Sequence, residues 1–209
     1  MPGLRERKKR ATWAELSGAA LRLAAAHGPD RVTVEQISDA AGVSARTFFN
    51  YFPSKENAVL GTDPDRAARM RVRVMARPAD ETPLEVLRVA LTELGDELAK
   101  DPEAWRLRMR LVREHPSLLP PYLAALAALE RTLTEALSER LGADPEVDPY
   151  PGLAAAAAMS VTRTSFRRWH ADHGRVPLAV LLDEAFTALA GGLALPPQLP
   201  QPPTAVSVR

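Results

Sequence analysis

Residues 33–55 read TVEQISDAAGVSARTFFNYFPSK, and their spacing decides the fold. Thr33 followed three residues later by Gln36 is the start signal of a helix, each side chain able to satisfy the other's backbone N–H. Ile37, Ala40 and Ala41 then fall on one side of that helix. Gly42 supplies the left-handed backbone of a sharp turn, Val43 plugs the corner, and Ser44 caps the helix that follows. That second helix is expected over Ala45 to Phe52, closed by Pro53. Two short helices about a glycine turn form the pattern of a helix-turn-helix.

Working outward, Thr12 and Glu15 repeat the capping-box signature and predict a supporting helix from that point, with Leu16, Ala20, Leu23 and Ala24 as its apolar stripe. Gly28 and Pro29 end it. Residues 1–10 are basic and carry no apolar period, so they are expected to form a flexible arm. Downstream, Ser54 starts a helix that the segment from Gly61 to Pro64 interrupts. Leucine stripes follow over residues 84–98 and 118–141, with a short arginine-rich helix from Trp105 to Arg113 between them. Two more helices are expected over about residues 153–172 and 177–190, and a disordered, proline-rich tail over 196–209. About nine helices and no strand pattern place the chain in the all-α class. The expected organisation is a three-helix helix-turn-helix unit over 11–53 followed by a larger helical effector-binding and dimerisation body over 54–195.

The chain has 209 residues and no cysteine, which excludes disulfides and thiolate metal sites and suits a reducing cytoplasm. Its net charge is only +1, but the distribution is uneven: the first 55 residues hold nine Lys/Arg against five Asp/Glu, and the remainder holds 18 against 21. Such asymmetry fits one end of the molecule meeting a polyanion.

The helix after the glycine turn carries suitable chemistry. Phe48 and Phe52, four apart, share a face that packs inward on Ile37. Ser44, Ala45, Arg46, Thr47, Phe49, Asn50 and Tyr51 are left for the other sides. Arg46 can grip a guanine bidentately, and Ala45 or Phe49 can meet a thymine methyl. Thr33, Thr47, Tyr51 and Lys55 suit phosphate oxygens, and Asn50 suits either a base or solvent. Glu35, early in the preceding helix, repels phosphates, which moves the expected specificity onto the second helix.

The run VTVEQISDAAGVSARTFFNYFPSKENAVL resembles the N-terminal DNA-binding region of TetR-family transcriptional regulators, over about residues 12–60. The resemblance implies backbone contacts at Thr33, Thr47, Tyr51 and Lys55 and base contacts around Ala45, Arg46 and Phe49. It also implies a homodimeric regulator of double-stranded DNA whose last two helices pair with their symmetry mates as a four-helix bundle. Ala154, Ala158, Leu178, Leu182, Ala185, Phe186 and Leu189 are the expected interface, because small and leucine-rich faces allow close helix approach.

An effector pocket is expected between the central helices, walled by Trp105, Met109, Tyr122, Phe166 and Trp169, with Arg108 and Arg163 as anchors for an anionic group. Catalysis is not expected: there is no phosphate loop, nucleophile elbow or paired-carboxylate signature, and His170 and His173 lack a third metal ligand. No cofactor and no metal are expected. The rival reading is a helical small-molecule-binding protein without DNA-binding activity.

Overall fold

The first helix, α1, spans Leu4–His27. It therefore begins ahead of Thr12, which lies in the helix interior rather than at a cap, and the part of the expected arm from Leu4 onward is helical. The reason is propensity: Arg, Lys, Glu and Ala after Gly3 are good helix formers with no breaker among them. Lys9 fixes this end by an ion pair to Asp65 at 2.6 Å. The chain is described here from a computed structural model that covers residues 4–193, so Met1 to Gly3 and the proline-rich tail expected over 196–209 lie outside the described residues.

A 3-10 turn at Pro29–Arg31 leads to α2, Val34–Ala40, and α3, Ala45–Phe49. The third helix is shorter than expected. Asn50 N–H bonds to the Thr47 carbonyl and Tyr51 N–H to that of Phe48, tightening the chain ahead of Pro53, which disfavours helical backbone in the residue before it. α4, Lys55–Leu60, is followed by α5, Arg66–Met75, and the interruption between them begins at Gly61 with φ +63°. The remaining helices are α6, Pro83–Leu98; α7, Pro102–Glu114; α8, Leu119–Leu141; α9, Tyr150–Ala171; and α10, Leu178–Ala190. The described residues thus hold ten α-helices and no strand, in agreement with the all-α expectation.

Two hydrophobic cores divide these helices. The first gathers Leu16 and Ala20 of α1, Ile37, Phe48, Phe52 and Val59, together with Leu111 of α7 and Leu118 beyond it. The second gathers Met70 and Val74 of α5 with Leu87, Leu91, Leu133, Leu137, Met159 and Phe186 from α6 and α8–α10. α4 therefore packs with the head formed by α1–α3, and α5 packs with the body. The chain passes from one core to the other within the few residues after Leu60.

Four of the residues expected at a dimer interface lie inside the second core. Ala158, Leu178, Leu182 and Phe186 are at most 3% exposed. For Leu178 and Leu182 the cause is Gly95 on α6: a Cβ there would stand 2.9 Å from Leu182 Cδ1 and 3.3 Å from Leu178 Cδ2, so the missing side chain lets α10 seat these leucines directly on α6. Ala154, Ala185 and Leu189 are half-buried.

Candidate nucleic-acid interface

The helix-turn-helix is held by its caps and by aromatic packing. Thr33 Oγ1 accepts from Gln36 N–H at 3.2 Å while Gln36 Oε1 accepts from Thr33 N–H at 3.0 Å, completing the box expected from sequence. At the corner Gly42 has φ +65°, and Val43 N–H bonds back to the Ser38 carbonyl at 3.0 Å. Ser44 Oγ accepts from Thr47 N–H at 3.1 Å and lies 2.9 Å from the Thr47 hydroxyl, so both hydroxyls are fixed at the start of α3. Each cap contributes about 1 kcal/mol. Phe48 and Phe52 are fully buried with ring centroids 5.8 Å apart, and Trp13 of α1 lies 6.1 Å from Phe52.

That packing decides what α3 presents outward. Arg46, Phe49 and Asn50, at i, i+3 and i+4, share one exposed face, and Phe49 is 57% exposed although its ring meets Phe48 edge-on at 5.4 Å. Among the described residues, Arg46 has no intramolecular hydrogen bond or ion pair, so its guanidinium is available to an outside acceptor. An exposed large aromatic beside an arginine and an amide is a surface suited to base edges and thymine methyls. Ala45 and Thr47 flank this face half-buried; Thr33 and Ser44 are exposed at the two helix starts. Tyr51 is half-buried and turned toward a cleft between α1 and α6. Glu35 is exposed.

Lys55 differs from its expected phosphate role. Its Nζ donates to the backbone carbonyls of Pro29 at 3.0 Å, Asp30 at 3.3 Å and Val32 at 2.9 Å. An ammonium has three donors, and all three are engaged. Lys55 thus ties the start of α4 to the loop between α1 and α2, which explains a lysine at a helix N-terminus where the dipole disfavours it.

The expected effector residues do not form one group. Trp105, Phe166 and Trp169 pack on one another, with centroids 4.8 Å and 6.2 Å apart, and Phe166 and Trp169 belong to the second core. Met109 and Tyr122 are half-buried, and burial pushes the Tyr122 phenol upward against the opposing influence of nearby Arg163. Arg163 is exposed and donates to Ser160 Oγ at 2.9 Å. Arg108 points elsewhere. Its Nε donates to the Val59 carbonyl at 3.1 Å and its Nη2 to Ser17 Oγ at 3.2 Å, and Ser17 Oγ in turn donates to the Ala58 carbonyl at 2.9 Å. The anion-anchor expectation for Arg108 is replaced by a bond to the C-terminal carbonyls of α4, favoured by the helix dipole. Gly61, read from sequence only as a helix interruption, and Ser17, which gave no signal there, complete this junction.

Among the described residues no group of three His, Cys, Asp or Glu side chains is placed to hold a metal, and no helix is long and apolar enough to cross a membrane.

Comparison with known proteins matches this geometry at both ends of the chain. Residues 17–59 fit the family described as bacterial regulatory proteins, tetR family, and residues 81–194 fit the MftR C-terminal domain. The chain is similar to the HTH-type transcriptional regulator TcmR of Streptomyces glaucescens, 34% identical over 196 residues that span 90% of this chain and 87% of TcmR. Among solved structures it is similar to FadR of Thermus thermophilus, a TetR-family repressor in complex with lauroyl-CoA. There the TM-score is 0.54 and the identity 26%, over 91% of this chain and 98% of that one. FadR from Bacillus halodurans, a fatty acid degradation regulator, shares the fold with a TM-score of 0.57 at 22% identity, over 87% of this chain and 96% of the other. With both family models matched and the recognition face intact, the protein belongs to the TetR family of DNA-binding transcriptional regulators.

Proposed function

We propose that the protein is a homodimeric repressor that occupies a pseudo-palindromic operator and is released by a small-molecule effector. The observation that carries this reading is the division of α3, with Phe48 and Phe52 fully buried and Arg46, Phe49 and Asn50 on one open face. A single short helix reads only a few base pairs, so specificity needs two heads in successive major grooves, about 34 Å apart.

The dimer face is the outer side of α9 and α10, opposite the leucines seated on Gly95. Leu153 is 68% and Val180 45% exposed there, and Arg168 bridges the two helices by donating to Glu184 at 2.8 Å. Pairing with a second copy hides this surface in a four-helix bundle. The lauroyl-CoA held by Thermus thermophilus FadR supports control by a small molecule. Such an effector acts only through better affinity for a head spacing that does not fit the operator. The protein acts in the cytoplasm, where its DNA is, and does so without catalysing a reaction.

Selection of sites from a random duplex pool tests the reading. Enrichment of an inverted repeat with half-sites about one helical turn apart is the expected result. A pool with no enriched repeat, from protein shown to be folded, overturns it.

A further inference from the structure

A cleft of about 380 Å³ opens where the head meets the body. Trp13 of α1 and Tyr51 after α3 form one wall, Leu94 and Leu98 of α6 the other, and Arg66 at the start of α5 lies between them. Its volume falls within the range of small-molecule pockets, and its walls combine apolar surface with charge. The charges do not balance. Of the three acids at the cleft, Asp63 is bonded to Arg69, Asp65 to Lys9 and Glu97 to Arg73. Two cations remain. Among the described residues the side chains of Arg66 and Lys100 make no hydrogen bond or ion pair. For Arg66 this is costly, because burial holds the guanidinium below its ordinary pKa and attraction to Asp63 and Glu97 only partly compensates.

We propose that this cleft binds an amphipathic organic anion, its apolar body between Trp13, Tyr51, Leu94 and Leu98 and its anionic group on the guanidinium of Arg66. A guanidinium with free donors beside apolar walls recognises a carboxylate, sulfonate or phosphate ester by paired, charge-assisted hydrogen bonds. The inference rests on the proposed effector control and gives it a location, at the junction rather than among Trp105, Phe166 and Trp169. The occupant touches both parts at once: Trp13 packs on Phe52 at the buried end of the recognition segment, whereas Leu94 and Leu98 belong to α6. Binding here therefore biases the angle between head and body.

The test uses the full chain and two probes of nearly equal shape, 2-naphthoate and neutral 2-naphthol, titrated calorimetrically without DNA. Naphthoate is expected to bind about tenfold or more tightly than naphthol, which corresponds to one well-made ion pair. Arg66→Gln is expected to abolish that preference, and Lys100→Glu, at an exposed position, to weaken naphthoate severalfold. Equal affinity for the two probes, an unchanged preference in a folded Arg66→Gln variant, or no naphthoate binding at millimolar concentration overturns the proposal. Because the titration contains no operator, its failure is separate from any failure of DNA recognition.

Discussion

Arg108 and Val59 are joined across the junction: the guanidinium of α7 donates from Nε to the carbonyl of Val59, 3.1 Å away in the last turn of α4. The same guanidinium reaches Ser17 of α1, so one body side chain holds two head helices. Burial lowers its pKa somewhat, yet an arginine remains charged throughout the working pH range, and the link does not switch by protonation.

Replacing Arg108 by methionine keeps most of the stem and removes the donors. Loss of about 1.5–3 kcal/mol is expected, since the bonds are made by a charged group to partly buried acceptors. Urea unfolding of the two proteins measures it, and an unchanged midpoint contradicts the assigned role.

Gly61→Ala is expected to destabilise by more than the usual glycine-to-alanine change. Its φ of +63° costs a side-chain-bearing residue about 1–2 kcal/mol. In addition the new Cβ would stand 3.0 Å from Ser17 Oγ and 3.1 Å from Arg108 Nη2. A melting temperature equal to that of the unaltered protein argues against this packing.

Arg46→Ala and Lys55→Met separate reading from positioning. Arg46 is exposed with no internal partner among the described residues, so its loss leaves stability unchanged, costs about 1–3 kcal/mol of operator binding and relaxes sequence preference. Lys55→Met instead lowers the melting temperature, because three backbone carbonyls lose their donor. A Lys55 that served only as a phosphate contact would reduce the salt slope of binding by about one and leave stability alone.

Asp63 gives an acid dependence of known sign. Burial raises its pKa, but the hydrogen bonds from Arg69 and from the Asp65 backbone outweigh that, and the carboxyl lies below its ordinary value. A lowered folded pKa means stability that is present above the unfolded value of about 3.9 and lost as pH falls through the folded one. The stability gap between the natural protein and Asp63→Asn is therefore expected to be constant near neutrality and to close only in strong acid. A gap that closes near pH 6 contradicts the assignment.

The helix-turn-helix was legible because its determinants are local. Thr33 meets Gln36 and Ser44 meets Thr47 three residues on, and Gly42 marks the turn by its own backbone. The start of α1 was not legible, since a charged run without apolar period resembles both a solvated helix and a loose arm. On α10 the apolar positions were visible, but which side faced inward depended on Gly95, some 80–90 residues earlier in the sequence. The internal partners of Lys55 and Arg108 are hidden from the sequence for the same reason: their acceptors lie 23–26 and 49 residues away, and only folding brings them together. Arg66, within the run of arginines over residues 66–73, resembled any exposed basic face.

The passage of the chain between two cores just after Leu60 bears on how far the protein is modular. A head exchanged at that point would carry its own recognition helix and its own Lys55 clasp. It would still have to accept Leu111 and Leu118 of the body into its interior and offer a hydroxyl at position 17 to Arg108. Operator specificity can therefore be transplanted between such regulators by exchanging residues 1–60 only when the incoming head matches these three points. A head that misses them would lose part of its own core together with its tie to the body, and its specificity would not transfer.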